Sequence, residues 1–353
     1  MIPIPKKQQD EAGMNILMHD IQSIFVIDAH TTGTPIRVIT SGIPPLKGDT
    51  IGQKMEYMRC HYDWIRTCIM QQPRGFRSLV GAVLTEPCSQ EADYGLFYID
   101  ALTYQPMCGA GTFSVAKVLV ETGMVRRTEP ETIIKLETPS GIVTVFVEIK
   151  EKDIKSIALE NVPAFLYSQD LEINVPGFGN IKVDIGFGGN FFTLVDIDTI
   201  NMEITKSNMN ELRELSKVIL AAANSAIDVQ HPANPSINYM DQLLFCNNRP
   251  NKNNEYYCQC IFGDAQADIS PCGTGTSTRL AQRYFRGLLG RDETYCQKSV
   301  YGGVFRASVV REVSICGTRA VIPHVTCSDV HITGFNHLIV EEDDRLRNGF
   351  ISW

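Results

Sequence analysis

The chain has 353 residues, 44% of them hydrophobic and 20% charged, with a formal net charge of -8. That length holds about two domains with a substantial core, and the composition excludes a disordered chain or a repetitive fibre. An acidic balance without a lysine or arginine run leaves no footprint for a nucleic-acid backbone or an anionic membrane, so a small-molecule partner is expected.

Residues 1–20 carry a polar stretch at 6–11 and no continuous apolar run, which predicts a loose tail with neither signal peptide nor membrane span. Short apolar or β-branched runs at 23–28, 94–100, 141–147, 181–185 and 256–262, several of them bounded by Gly or Asp, predict strands. Helical period runs through 54–70, 112–121, 206–226 and 276–286. The class is mixed α/β. Eleven cysteines, scattered and without an export signal, predict reduced thiols in the cytoplasm. Cys258-Gln259-Cys260 alternates faces of a strand and has no companion pair, so no metal site is expected, and most remaining cysteines should be small buried hydrophobes.

An internal repetition is the most informative feature. Cys108-Gly109-Ala110-Gly111-Thr112 and Cys272-Gly273-Thr274-Gly275-Thr276 share the pattern C-G-x-G-T. Each follows a strand-like run, and each is followed, fifteen positions after its cysteine, by a glycine (Gly123, Gly287) placed to end a helix in the left-handed conformation. A tight turn repeated by ancestral duplication would account for the pattern alone. Two matching units instead predict two similar domains whose equivalent loops meet at a ligand cleft, with the cysteines on opposite sides of it.

Glycines at the second and fourth positions let consecutive N–H groups point into a cleft, and a helix start adds unpaired donors and the positive end of a dipole. Each motif is therefore suited to half of a carboxylate, and the same field is expected to lower the pKa of the adjacent thiol. Two such thiols across one carboxylate suit removal of an α-proton by one and its return to the other face by its partner, which is racemisation or epimerisation. No dinucleotide or phosphate-loop fingerprint is present, so the two amide nests must stabilise the carbanion. Asp268 reads equally as an acceptor for a substrate ammonium or as a turn residue, whereas His30 reads better as a strand-end residue than as a catalytic one.

Several blocks resemble the proline racemases and hydroxyproline 2-epimerases, distant relatives of diaminopimelate epimerase. They are Asp28-Ala29-His30-Thr31, Gln72-Pro73-Arg74-Gly75, Met107-Cys108-Gly109, Phe187-Gly188-Gly189-Asn190 and Asp268-Ile269-Ser270-Pro271-Cys272-Gly273-Thr274-Gly275-Thr276. The resemblance implies two similar subdomains, each a mixed sheet or barrel around a central helix, with the active site between them. Their expected extents are 21–160 plus 335–353 and 161–334. It implies Cys108 and Cys272 as catalytic residues and the amides of Gly109, Ala110, Gly273 and Thr274 as the carboxylate site. Asp268 would lie near the ring nitrogen, Phe262 and Val80 would complete the substrate pocket, and neither cofactor nor metal is implied. The substrate is expected to be an amino or imino acid, and a homodimer is among the expected assemblies.

Three positions depart from the family pattern. Ala110 stands where His is usual, Thr34 where Glu is common and Phe76 where His is common, which predicts a less polar pocket. Val80 stands where some proline racemases are aromatic, leaving room for a ring substituent and favouring hydroxyproline. Members that dehydrate trans-3-hydroxyproline typically carry Thr or Ser at the second cysteine, so Cys272 argues against that activity. Dehydration and a catalytically impaired carboxylate-binding homologue stay open as alternatives.

Overall fold

A computed structural model of the chain describes residues 21–352, so the expected N-terminal tail lies outside the described residues. The expected mixed α/β architecture is present, and it is organised as two equivalent runs of strands. The first run, in spatial order, is Val330–Glu341, Ile21–Thr31, Thr34–Ser41, Val80–Thr85, Tyr94–Ile99, Glu131–Thr138, Gly141–Lys150 and Asp153–Glu160. The second is Phe165–Val175, Gly179–Phe187, Phe191–Asp196, Gln242–Cys246, Glu255–Phe262, Tyr295–Lys298, Val304–Ile315 and Thr318–Cys327. Successive neighbours in both runs follow one pattern: two antiparallel pairings, then parallel, antiparallel, parallel and two antiparallel.

The helices occupy equivalent places because a parallel pairing needs a long crossover. In the first run α1 (Ile51–Met70) and α2 (Gly109–Glu121) supply the two crossovers, and in the second α3 (Met209–Ala226) and α4 (Gly273–Phe285) do so. The last strands of the two runs pair antiparallel, Glu160 opposite His324 and Ile157 opposite Cys327, which joins the lobes. Val330–Glu341 then returns to the first lobe and pairs with Ile21–Thr31 along its whole length, so a boundary at 334/335 falls inside this strand.

Strand alternation explains why each lobe carries one helix inside and one outside. On Tyr94–Ile99, Leu96 and Tyr98 face α2 while Phe97 and Ile99 face α1. Val80 and Ala82 likewise belong to the α2 side and Val83 to the α1 side. α2 is enclosed: Phe113, Val115, Val118 and Leu119 are fully buried, each contributing about 1.5–3 kcal/mol by leaving water, and the buried hydroxyls of Thr112 and Ser114 are hydrogen-bonded. No helix among the described residues is long and apolar enough to cross a membrane.

Candidate active site

Both C-G-x-G-T motifs start a thirteen-residue helix. The helices open at Gly109 and Gly273, three residues before the threonines at which periodicity begins, because the cysteine itself is the N-cap. Cys108 Sγ accepts a hydrogen bond from Gly111 N at 3.4 Å, and Cys272 Sγ accepts one from Gly275 N at 3.3 Å. This is the bond a serine cap makes, with sulfur as acceptor. The threonine hydroxyls bond back to the cysteine carbonyls, Thr112 to Cys108 at 2.8 Å and Thr276 to Cys272 at 2.7 Å. Gly123 and Gly287 have φ of +74° and +69°, the left-handed terminators their spacing predicts.

The two helix starts meet. A Cβ added to Gly109 would lie 2.6 Å from Gly273 Cα, and one added to Gly273 would lie 2.6 Å from Gly109 Cα. Only glycine permits this approach, and it brings the positive ends of two helix dipoles together between the lobes. Asn190 fixes the junction from the side, donating to Met107 O at 2.8 Å and contacting Thr274 Oγ1 at 3.5 Å. Asn161 donates to Gly188 O at 2.8 Å and to Ser277 Oγ at 2.9 Å.

Cys272 is buried and Cys108 half-buried. Burial pushes the Cys108 thiol up to about 12 against the N–H groups of Gly111 and Ala110, with the negative charges of Asp268 and Cys272 adding to the rise. The expected lowering by the helix field is therefore overturned at Cys108: desolvation of a thiolate outweighs two amide donors.

Asp268 lies on the Cys272 side. Its carboxylate accepts from Thr34 Oγ1 at 2.9 Å, from Ser270 N at 2.9 Å and from Ser270 Oγ at 3.1 Å. Burial raises its pKa and these donors oppose the rise. Thr34 also accepts from Ser270 N at 2.8 Å, so a first-lobe hydroxyl ties down the second-lobe loop that carries Asp268 and Cys272. Thr34 thus supplies a polar tether between the lobes at the position where the family pattern has an acid. Phe76 is 44% exposed. Ala110 is buried and its carbonyl accepts from Thr31 Oγ1 at 2.8 Å.

Val80 is buried in one cluster with Ala110 and Met107. Phe262 is half-buried where its strand pairs with Gln242. His30 accepts from Gly33 N at 3.3 Å and lies against the ring of His331, the strand-end role expected of it.

Two residues near the site escaped sequence reasoning. Asp241, next to Gln242, is pushed up to about 6 by burial and by the charge of Asp100. It lines a cavity of about 1090 Å³ between the lobes, with Tyr239, Tyr104, Ser140 and Pro106, of which Pro106 lies two positions before Cys108. Neither thiol lines that cavity, so it adjoins the cysteine pair without containing it. Cys260, read only as a small hydrophobe, places its sulfur near Asp268 and Cys272. Neither residue has a local motif, since both arrive by strand pairing.

Comparison with known proteins identifies the family. The proline racemase family model matches residues 26–351. A proline racemase of Clostridioides difficile is 38% identical over 94% of this chain and 98% of its own length. A trans-3-hydroxy-L-proline dehydratase of Burkholderia cenocepacia is 36% identical over 94% and 98%. The crystal structure of a hydroxyproline epimerase from Agrobacterium vitis, with bound trans-4-hydroxy-L-proline, superposes with a TM-score of 0.89 at 26% identity, covering 94% of this chain and 95% of that one. With its duplicated lobes and paired cysteine-capped helices, this chain belongs to the proline racemase family.

Proposed function

We propose that the protein is a racemase or 2-epimerase that inverts Cα of proline or a hydroxyproline, using Cys108 and Cys272 as opposed acid and base without a cofactor. The observation that carries this is the reciprocal contact of Gly109 with Gly273, which sets two cysteine-capped helix starts against each other. Amides of Gly109, Ala110, Gly273 and Thr274 would hold the substrate carboxylate at the converging dipoles. Asp268 would receive the ring nitrogen. One thiolate removes the α-proton, the opposite thiol delivers a proton to the other face, and the amides stabilise the charge that develops between these steps. The small Val80 favours a substituted ring, with 4-hydroxyproline ahead of proline.

Dehydration of 3-hydroxyproline is the second reading, supported by the dehydratase relative. It needs one base and a β-leaving group, and yields a carbonyl product after hydrolysis. Incubating proline, trans-4-hydroxyproline and trans-3-hydroxyproline in D₂O, with chiral chromatography and carbonyl trapping, separates the two. Inverted product with deuterium at Cα is expected, whereas a trapped carbonyl would replace epimerisation by dehydration. Absence of both for every substrate, with carboxylate binding retained, would leave the impaired homologue.

A further inference from the structure

Cys260 is the thiol beside Cys272 that proton transfer does not use. The Sγ atoms of Cys260 and Cys272 and a carboxylate oxygen of Asp268 all lie within 4.8 Å of one another. Strand Glu255–Phe262 turns at Gly263 and comes back through Gln266–Ala267, so Asp268 N donates to Cys260 O at 2.9 Å. The next residues then fold Cys272 onto the same spot, where Cys272 N donates to Ser270 Oγ at 3.0 Å.

We infer that these three side chains form an inhibitory site for a thiophilic divalent cation such as Zn²⁺ or Cd²⁺. Two thiolates and a carboxylate are ligands zinc accepts, at about 2.3 Å to sulfur and about 2.0–2.2 Å to oxygen, which puts tetrahedral sulfurs about 3.8 Å apart. The trio therefore needs a closure of about 1 Å at most, within the reach of side-chain adjustment. The carboxylate is already oriented: Asp268 Oδ1 accepts from Thr34 and Ser270 N and Oδ2 from Ser270 Oγ, and the Cys272 thiol also bonds the carboxylate, a proton that metal binding displaces. A ligating carboxylate is ordinarily held by outer hydrogen bonds of this kind, here from Thr34 and Ser270.

The exchange balances without an added charge. From two neutral thiols, two S–H bonds break, two Zn–S bonds form and two protons leave to solvent, so Zn²⁺ enters a buried pocket whose net charge is unchanged. This removes the desolvation cost that an unpaired cation would meet there. Three ligands leave one tetrahedral position for water. With its sulfur held by metal, Cys272 cannot exchange a proton, so inhibition competes with substrate; that consequence rests on the proposed function, whereas the binding does not.

The test uses the reduced, chelator-treated protein with its exposed thiols removed by Cys60→Ser and Cys316→Ser. Titration with Cd²⁺ is followed by the ultraviolet thiolate-to-metal band, and Zn²⁺ inhibition by Cα exchange. One Cd²⁺ per chain is expected, with EDTA restoring activity. Cys260→Val and Cys260→Ser are expected to keep Cα exchange and to lose more affinity than the roughly 10–100-fold typical of a lost supporting residue. An unchanged band and stoichiometry in whichever Cys260 variant folds, or no band in the parent, overturns the site. If the parent shows no Cα exchange with any substrate, the proposed function fails while the Cd²⁺ titration still decides the metal site.

Discussion

The two C-G-x-G-T motifs share their pattern, helix length and strand context, yet they differ in what surrounds each cysteine. Cys108 caps its helix from ordinary extended backbone, at φ −144°. Cys272 caps its own from φ +67°, a left-handed conformation costly for a residue with a Cβ. That conformation is held by Cys272 N on Ser270 Oγ and by Gln297 Nε2 on the Pro271 carbonyl. Asp268 and Cys260 stand beside Cys272. The helices diverge too: α2 is enclosed by apolar groups, whereas α4 buries Arg279, Gln282 and Arg283. The two copies share a symmetric frame, and the surroundings of Cys108 and Cys272 break that symmetry. Under the proposed function, a carboxylate over two dipoles would suit the symmetry, and a nitrogen on one side of the substrate would account for its loss.

The proposed parity of the thiols is the first point to test. Cys108→Ser and Cys272→Ser should each cut Cα exchange by about 10²–10⁴-fold, measured by deuterium wash-in, and near-wild-type exchange in either variant would break the two-thiol pairing. Gly109→Ala and Gly273→Ala should be nearly interchangeable, because each Cβ strikes the same opposing backbone. A lobe displacement of the order of 1 Å would cost about 100-fold in kcat, and a large loss from one alanine alone would show the contact is not reciprocal.

The thiol environments can be compared without turnover. With the Cys108 thiol at about 12, its thiolate is scarce at neutral pH and its iodoacetamide labelling should rise about tenfold per pH unit through the alkaline range. Fast, pH-independent labelling of Cys108 in peptide maps would mean that burial does not hold its proton.

Thr34 joins the first lobe to the elaborated side of the site. Thr34→Val removes the hydroxyl from Asp268 and Ser270 and should raise KM about fivefold, near 1 kcal/mol, with smaller change in kcat; Thr34→Ser should restore it. The smallest effects concern the frame. Gly123→Ala and Gly287→Ala add a Cβ in open space at positive φ, so each should cost about 1 kcal/mol in denaturant unfolding, and unequal costs would show that the scaffold has diverged as well.

Much of this was legible because it is local. C-G-x-G-T, the glycine terminators and the 3.6 period announce α2 and α4, and cysteine capping needs only the residues of the motif itself. The thiol environment was not local: the helix start argues for a low pKa at Cys108, and burial by groups distant in sequence reverses it. Thr34 read as a lost acid, but pairing across the lobes makes it the hydroxyl that holds Asp268. Asp241 and Cys260 carried no signal, since neither belongs to a pattern and each reaches the site through a neighbouring strand.

By itself the sequence determined the duplicated unit, the two cysteine-capped helices and the glycines that let them touch, because capping, φ preference and periodicity act over a few residues. Tertiary structure alone decided that Gly109 meets Gly273, that Val330–Glu341 completes the first lobe and that Cys260, Asp268 and Thr34 gather around Cys272. Those outcomes depend on desolvation and on contacts between residues up to hundreds of positions apart, which no local pattern encodes.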